Sequence, residues 1–81
     1  MPIQKGNFVL VEWVDSNVTH GWRPEYYDDD EVAHCRTIGI LKSQDKKRVI
    51  LAFGDSDCGS VMETITIPRG CILSVRELQV R

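Results

Sequence analysis

Three cysteines and two histidines are the residues of this 81-residue chain that could bind a metal ion or act as nucleophiles. His34 and Cys35 are neighbours in an apolar stretch, and neighbouring side chains of a strand point to opposite faces. The others, His20, Cys58 and Cys71, occur singly, whereas structural zinc sites use paired ligands two to four residues apart. An odd number of cysteines without C-x-x-C spacing also argues against a disulfide framework. We therefore expect neither a structural metal nor a disulfide.

Cys58 lies in the sequence DSDCGS, which has two conceivable chemical uses. A nucleophilic cysteine needs a neighbouring base and electropositive surroundings, and the carboxylates of Asp55 and Asp57 are expected to raise the pKa of the thiol instead. A calcium loop of the EF-hand type needs glycine at its sixth position and glutamate at its twelfth, whereas counting from Asp55 this sequence has Gly59 at the fifth position and Thr66 at the twelfth. The run is better interpreted as a hairpin turn.

No motif of a catalytic or nucleotide-binding site occurs in the sequence. The patterns G-x-x-x-x-G-K-[ST], G-x-G-x-x-G, G-x-S-x-G and H-E-x-x-H are all absent, and no two carboxylates stand out as an acid and a base. The sequence therefore predicts a protein that is not an enzyme and that uses no cofactor.

The polar segment 15–31 contains the residues best suited to binding another molecule. Tryptophan and tyrosine offer rigid contact area, and carboxylates steer association toward a basic partner. The sequence also allows that the acidic run is only a solvated loop and that the tryptophan plugs an open end of the fold. The candidate binding residues are Trp22, Tyr26, Tyr27, Asp28, Asp29, Asp30 and Glu31.

Apolar residues alternate with period two along most of the chain, which is typical of β-strands. Pro68 to Gly70 favour a single 3₁₀ turn before the last strand, and Gly39 marks a bulge or a sharp bend within the second. No amphipathic helix of useful length is present. The predicted strands are 7–14, 32–42, 48–53, 61–67 and a short last strand with Ile72, Leu73 and Val75.

Five short antiparallel strands on a chain of this length close most readily into a small barrel, which removes exposed edges. We expect one all-β domain spanning residues 1–81. Its strand order resembles the SH3-like five-stranded barrel, with a long first loop and a one-turn 3₁₀ break before the last strand. The predicted core consists of Val9, Val11, Trp13, Ile38, Ile40, Val49, Leu51, Phe53, Ile65, Ile67, Ile72 and Val75.

Charge and apolar content narrow the possible partners. The net charge is -2, and the basic run 46–48 is opposed by the acidic run 28–31, so nucleic-acid binding is unfavoured. No apolar run reaches the roughly 18 residues that span a bilayer, and the first residues lack the apolar region of a signal peptide. With its unpaired cysteines, the chain is expected to be cytoplasmic.

One resemblance covers nearly the whole chain. The sequence has W-V-D-S at 13–16, G-W at 21–22, I-G at 38–39 and I-P-R-G-C-I at 67–72. This pattern is similar to that of small, uncharacterised β-barrel proteins encoded by phages and prophages. The resemblance implies a viral or prophage origin, with the cytoplasm of the host cell as location, and it supplies no catalytic residues.

These observations lead to three functional hypotheses of different kinds. The first is a non-enzymatic adaptor that docks on a protein partner through segment 15–31. The second is a homo-oligomeric assembly protein in which barrel edges pair between copies. The third is a small barrel that binds nucleic acid, which the acidic balance disfavours.

Overall fold

The computed structural model describes residues 3–16, 22, 24–25 and 32–79. These residues form an all-β fold, and apart from one 3₁₀ turn the described ranges contain no helix. None of the described residues forms a helix that is long and apolar enough to cross a membrane. The elements are β1 (Phe8–Asp15), β2 (Ala33–Gln44), β3 (Arg48–Asp55), β4 (Val61–Pro68), the 3₁₀ turn (Arg69–Cys71) and β5 (Ile72–Glu77).

The five strands form a single antiparallel sheet in the order β4-β3-β2-β1-β5. The predictions of five antiparallel strands and of a 3₁₀ turn after the fourth are confirmed. β4 and β5 are the two outer strands, and among the described residues no ladder joins them. The sheet is therefore open, and its closure into a barrel is not shown.

The hairpin between β2 and β3 is tighter than the sequence pattern predicts. The apolar alternation ends near residue 42, yet β2 continues because Ser43 pairs with Ile50 and Gln44 with Val49. The turn is fixed by Asp45, whose Oδ1 accepts hydrogen bonds from the backbone N–H groups of residues 47 and 48 at 2.8 and 2.9 Å. Because these hydrogen bonds close the turn within a few residues, the ladder extends to the polar residues Ser43 and Gln44 of β2.

The hydrophobic core lies on one face of the sheet, called here the core face. Half-buried apolar residues from β1, β4 and β5, together with Ile3, pack against the buried cluster. All five strands contribute, so the sheet coils around one core. The buried cluster consists of Val9, Val11, Leu41, Val49, Leu51 and Ile67.

Two residues of the predicted core are exposed. Ile38 is 58% exposed and Phe53 is 48% exposed, so both predictions are wrong. Pairing with β1 places Gly39 opposite the core residue Val9, so Leu41, two residues later, also lies on the core face, whereas Ile38 and Ile40 lie on the other face. Phe53 lies beyond the last residue of β3 that pairs with β2. It therefore has no neighbouring strand to cover it on that side.

Gly39 lies where β3 comes closest to its backbone, in a continuous part of the β1–β2 ladder. A Cβ atom at this residue would lie 2.9 Å from the carbonyl oxygen of Ala52 and 3.0 Å from the Cβ of Leu51. The missing side chain lets β3 approach β2 closely, while the register shift follows two residues later.

Candidate functional site

The candidate binding segment leaves the sheet where β1 and β2 part. Asp15, the last residue of β1, pairs with Ala33, the first residue of β2. The backbone N–H of Ser16 donates a 2.8 Å hydrogen bond to the Asp15 side chain, which turns the chain away from the strand. Both ends of the segment are thus anchored on adjacent strands, at the end of the sheet opposite to the β2–β3 turn.

Trp22 is fully exposed. Its relative exposure is 105%, and the neighbouring Pro24 and Glu25 are exposed as well. A tryptophan that plugs an open end of the fold would be largely buried, so the structure does not fit that alternative. A large aromatic surface held in water is instead available for contact with another molecule.

The other predicted binding residues lie outside the described residues. They are Tyr26, Tyr27, Asp28, Asp29, Asp30 and Glu31. The structure thus places Trp22 but neither supports nor opposes the role predicted for the remaining six.

Trp13 has the opposite environment from Trp22. It is half-buried, packs against the core cluster, and its indole Nε1 donates a 3.0 Å hydrogen bond to the Thr37 hydroxyl. The polar atom of the ring is therefore satisfied within the fold. Trp13 therefore belongs to the core, whereas Trp22 is exposed and available for contacts with another molecule.

The turn between β3 and β4 contains Cys58, whose pKa is lowered and not raised as its neighbouring carboxylates predict. The Ser56 hydroxyl lies 3.0 Å from the Cys58 sulfur, and the Ser60 hydroxyl lies 3.9 Å from it. The hydrogen bond from Ser56, followed by that from Ser60, lowers the pKa of Cys58, because both favour the thiolate. The serine hydrogen bonds, and not the carboxylates of Asp55 and Asp57, are the main influence on this pKa, and burial opposes them. The spacing S-x-C-x-S was the overlooked signal.

These features do not assemble a reaction centre in the described part of the chain. Cys35, Cys58 and Cys71 are all free thiols. Across residues 3–16 and 32–79, together with 22, 24 and 25, no group of three His, Cys, Asp or Glu side chains is placed to hold a metal ion. The acidic run 28–31 lies outside those ranges.

Comparisons of the chain with protein-family models, with curated proteins and with solved structures give no match. The similarity to phage and prophage proteins therefore stays a prediction from the sequence pattern.

Proposed function

We propose that this protein is a non-enzymatic binding module that docks on another protein through segment 15–31. The observation that carries the proposal is the complete exposure of Trp22 on a segment anchored at both ends by strands. Exposure of a large apolar side chain to water is unfavourable, and tryptophan is among the residues that contribute most to the binding free energy at protein interfaces.

The composition of the rest of the segment supports a basic protein as the partner. Two further aromatic residues, Tyr26 and Tyr27, follow Trp22 in the sequence, and four consecutive carboxylates follow them at 28–31. Carboxylates accelerate association with a surface rich in lysine and arginine, and they repel acidic surfaces and nucleic acid. The proposed partner is thus a protein with a basic patch beside an apolar groove.

The scaffold under this segment is proposed to be an SH3-like barrel. Three findings support it: the strand order β4-β3-β2-β1-β5, the 3₁₀ turn between β4 and β5, and a core shared by all five strands. On this proposal β4 approaches β5 behind the core. The sequence pattern supports a phage or prophage origin, and the three free thiols support the cytoplasm of the host cell as location.

The proposal is tested by capturing the partner from host lysate with the full chain and then measuring its affinity for variants. Trp22→Ala should weaken binding by about 2 kcal/mol or more, roughly 30-fold, because aromatic anchors contribute that much. The matched control is Leu73→Ala, since Leu73 is an exposed apolar residue of β5 outside the segment. Its affinity should equal that of the wild type.

Stability measurements on the same variants separate the two roles of Trp22. A surface anchor should leave the free energy of unfolding within about 0.5 kcal/mol of the wild type. A loss of about 3–5 kcal/mol would instead show that Trp22 is buried in solution, and it would reject the proposal. Unchanged partner affinity in Trp22→Ala would reject it as well.

A homo-oligomer built by pairing of strand edges receives less support. β4 has Glu63 in the left-handed region at φ 45° and ends at Pro68, which has no N–H to donate. β5 has a register shift against β1 at Glu12 and Trp13. Charges, prolines and bulges are the features by which natural proteins prevent edge pairing. If copies of this chain associate, a face of the sheet suits that role better than an edge.

A further inference from the structure

The first half of β2 is an open strand edge inside the sheet. Residues 33–40 pair with β1, whereas pairing with β3 begins only at Ile40, which lies opposite Ala52. Among the residues that the structure describes, no strand therefore pairs with residues 33–38 on the side of β2 that faces β3. This stretch is called here the β2 edge.

The hydrogen bonds next to the β1–β2 ladder show which backbone groups of the β2 edge are unpaired. Leu41 donates its N–H to the Asn7 carbonyl at 2.9 Å, and its own carbonyl accepts from the N–H of Gly6 at 2.8 Å, so Leu41 bonds toward β1. Consecutive residues of an antiparallel strand direct their N–H and C=O groups to opposite sides, so every second residue before Leu41 also bonds toward β1. The residues of the β2 edge whose groups point away from β1 are His34, Arg36 and Ile38.

The β2 edge lacks the features that block pairing at the two outer strands. Its ladder with β1 has no register shift from residue 33 to residue 40, and its sequence AHCRTI contains no proline. The stretch is held in strand geometry from the core side, where the Trp13 indole donates its hydrogen bond to Thr37. Natural proteins interrupt or cover the strand edges that must not pair. An uninterrupted edge is the structure to which an extended peptide adds as a further strand.

The side chains next to this edge are open to solvent. Ile38 is 58% exposed, and His34 and Arg36 are exposed as well. Phe53, the first residue of β3 beyond its pairing with β2, is 48% exposed. Ile38 points to the outer face, whereas Phe53 lies on the same face as Leu51, which belongs to the core. An added strand would therefore have one exposed apolar neighbour on each of its faces.

Arg36 sets the charge preference of the β2 edge. Its neighbour in the β1–β2 ladder is Glu12, which forms an ion pair with Arg76 at 2.9 Å. Within the described part of the chain, no carboxylate forms an ion pair with Arg36. An acidic residue opposite Arg36 on an added strand would supply a favourable cross-strand pair. Two copies of this edge in full overlap would place Arg36 opposite Arg36, and like charges in that position are destabilising.

We infer that the β2 edge binds an extended segment of another protein, which adds to the sheet as an antiparallel strand. Every ladder of this sheet is antiparallel, and antiparallel pairing is slightly more stable per residue than parallel pairing. The segment has an apolar residue opposite Ile38 and, two residues later, an acidic residue opposite Arg36. Its sequence pattern is therefore apolar-x-acidic. This inference does not rest on the proposed function of segment 15–31.

The probe for the test is the capped peptide ITETVT, which is titrated into the full chain and followed by NMR. In an antiparallel strand its isoleucine lies opposite Ile38, its glutamate opposite Arg36 and its valine opposite His34. The amide shifts of these three residues should move, with a Kd of about 1 mM or lower.

N-methylation of the peptide tests the backbone pairing itself. The N–H of the glutamate bonds to the β2 edge, so its methylation should weaken binding about 10-fold or more, because a hydrogen bond is lost. The matched control is methylation of the threonine that follows, whose N–H points away from β2. This control should bind within about 2-fold of the unmodified peptide. Equal effects of the two methylations would overturn the inference.

Charge reversal tests the register of the added strand. The peptide ITKTVT places lysine opposite Arg36 and should bind the wild type about 5-fold more weakly than ITETVT. Arg36→Glu should reverse this preference, and a variant that binds one of the two peptides is folded. The peptide TVTETI has the same neighbours only in a parallel strand, so tighter binding of TVTETI than of ITETVT would overturn the antiparallel orientation.

Hydrogen exchange of the free chain tests whether the β2 edge is open in solution. The amides of Cys35 and Thr37 should be protected, whereas those of His34, Arg36 and Ile38 should become protected only when ITETVT is added. Protection of all five amides before addition would show that the edge is already covered, by another part of the chain or by a second copy, and would overturn the inference.

Absence of amide shifts in the β2 edge at about 5 mM ITETVT would overturn the inference as well. Trp22→Ala should leave the affinity for ITETVT unchanged, because Trp22 lies outside the β2 edge. Failure of this inference is therefore distinguishable from failure of the proposed function.

Discussion

Replacing Gly39 with alanine tests whether the close approach of β3 to β2 requires a residue without a side chain. The added Cβ would lie 2.9 Å from the Ala52 carbonyl oxygen and 3.0 Å from the Leu51 Cβ, where an ordinary contact begins near 3.4 Å. Neither atom belongs to the flexible end of a side chain, so no rotamer change can relieve the overlap. β2 and β3 must therefore separate by several tenths of an ångström, at the place where both strands pass over the core.

The magnitude follows from two opposing contributions. Overpacking of a well-packed site costs about 1–3 kcal/mol, whereas the smaller freedom of alanine in the unfolded chain returns about 0.4–1 kcal/mol. We expect Gly39→Ala to lower the free energy of unfolding by about 1–2 kcal/mol, which corresponds to a fall in Tm of roughly 5–15 °C for a domain of this size. Urea titration with an unchanged m-value is the assay.

Two other glycines provide matched controls. Gly70 has no atom within 4 Å of an added Cβ and no positive φ, so Gly70→Ala should be neutral or slightly stabilising. Gly59 also has space but a φ of +90°, so alanine there should cost about 1 kcal/mol through backbone strain alone. If Gly39→Ala were as stable as Gly70→Ala, the close approach of β3 to β2 would not be a constraint on residue 39.

Three further predictions concern the core, the β2–β3 turn and the free thiol. Leu51→Ala should cost about 2–5 kcal/mol in urea titrations, whereas Phe53→Ala should cost about 1 kcal/mol or less, because only Leu51 is fully buried. The backbone N–H groups of residues 47 and 48 hold the pKa of Asp45 below its ordinary value of 3.8. The contribution of the Asp45 carboxylate to the free energy of unfolding is therefore complete above pH 3.8 and is lost as the pH falls through the lower pKa of the folded state. Asp45→Asn should flatten the dependence of stability on pH in that acidic range. Cys58 should be alkylated fastest of the three thiols, and Ser56→Ala should raise its pKa and slow the reaction in a pH series.

The fold was largely predictable because its signals are local. Alternation of apolar residues locates the strands, and Pro68 locates the 3₁₀ turn. The error in β2 is an error of phase. Apolar residues stand at 38, 40 and 41, so alternation alone does not say which set faces the core. Pairing with β1 decides it, because Gly39 lies opposite Val9 and Leu41 therefore takes the core position instead of Ile38.

The candidate site was predictable to a smaller degree. From the sequence, Trp22 could be either a binding residue or a plug in an open end of the fold. Its exposure in the structure favours the binding role. The sequence predicts a raised pKa for Cys58 from its neighbouring carboxylates, but the pKa is lowered because hydrogen bonds from serine, which depend on the geometry of the turn, have the larger effect. The two serines flank the thiol in the sequence, but the turn alone brings the Ser56 hydroxyl to 3.0 Å from the sulfur.

The end of the sheet that contains the β2–β3 turn is cross-linked by hydrogen bonds from Arg69. Its Nε donates to the Asp45 carbonyl and its Nη2 to the Gln44 side chain, both at 2.9 Å, while its backbone N–H donates to the Lys47 carbonyl at 2.8 Å. Through these contacts the 3₁₀ turn fastens the end of β4 to the β2–β3 turn, from which the chain crosses to β5 on the other side of β1. Segment 15–31 leaves from the opposite end. Sequence changes in that segment are therefore expected to leave the fastened end intact, which is compatible with the proposed binding function.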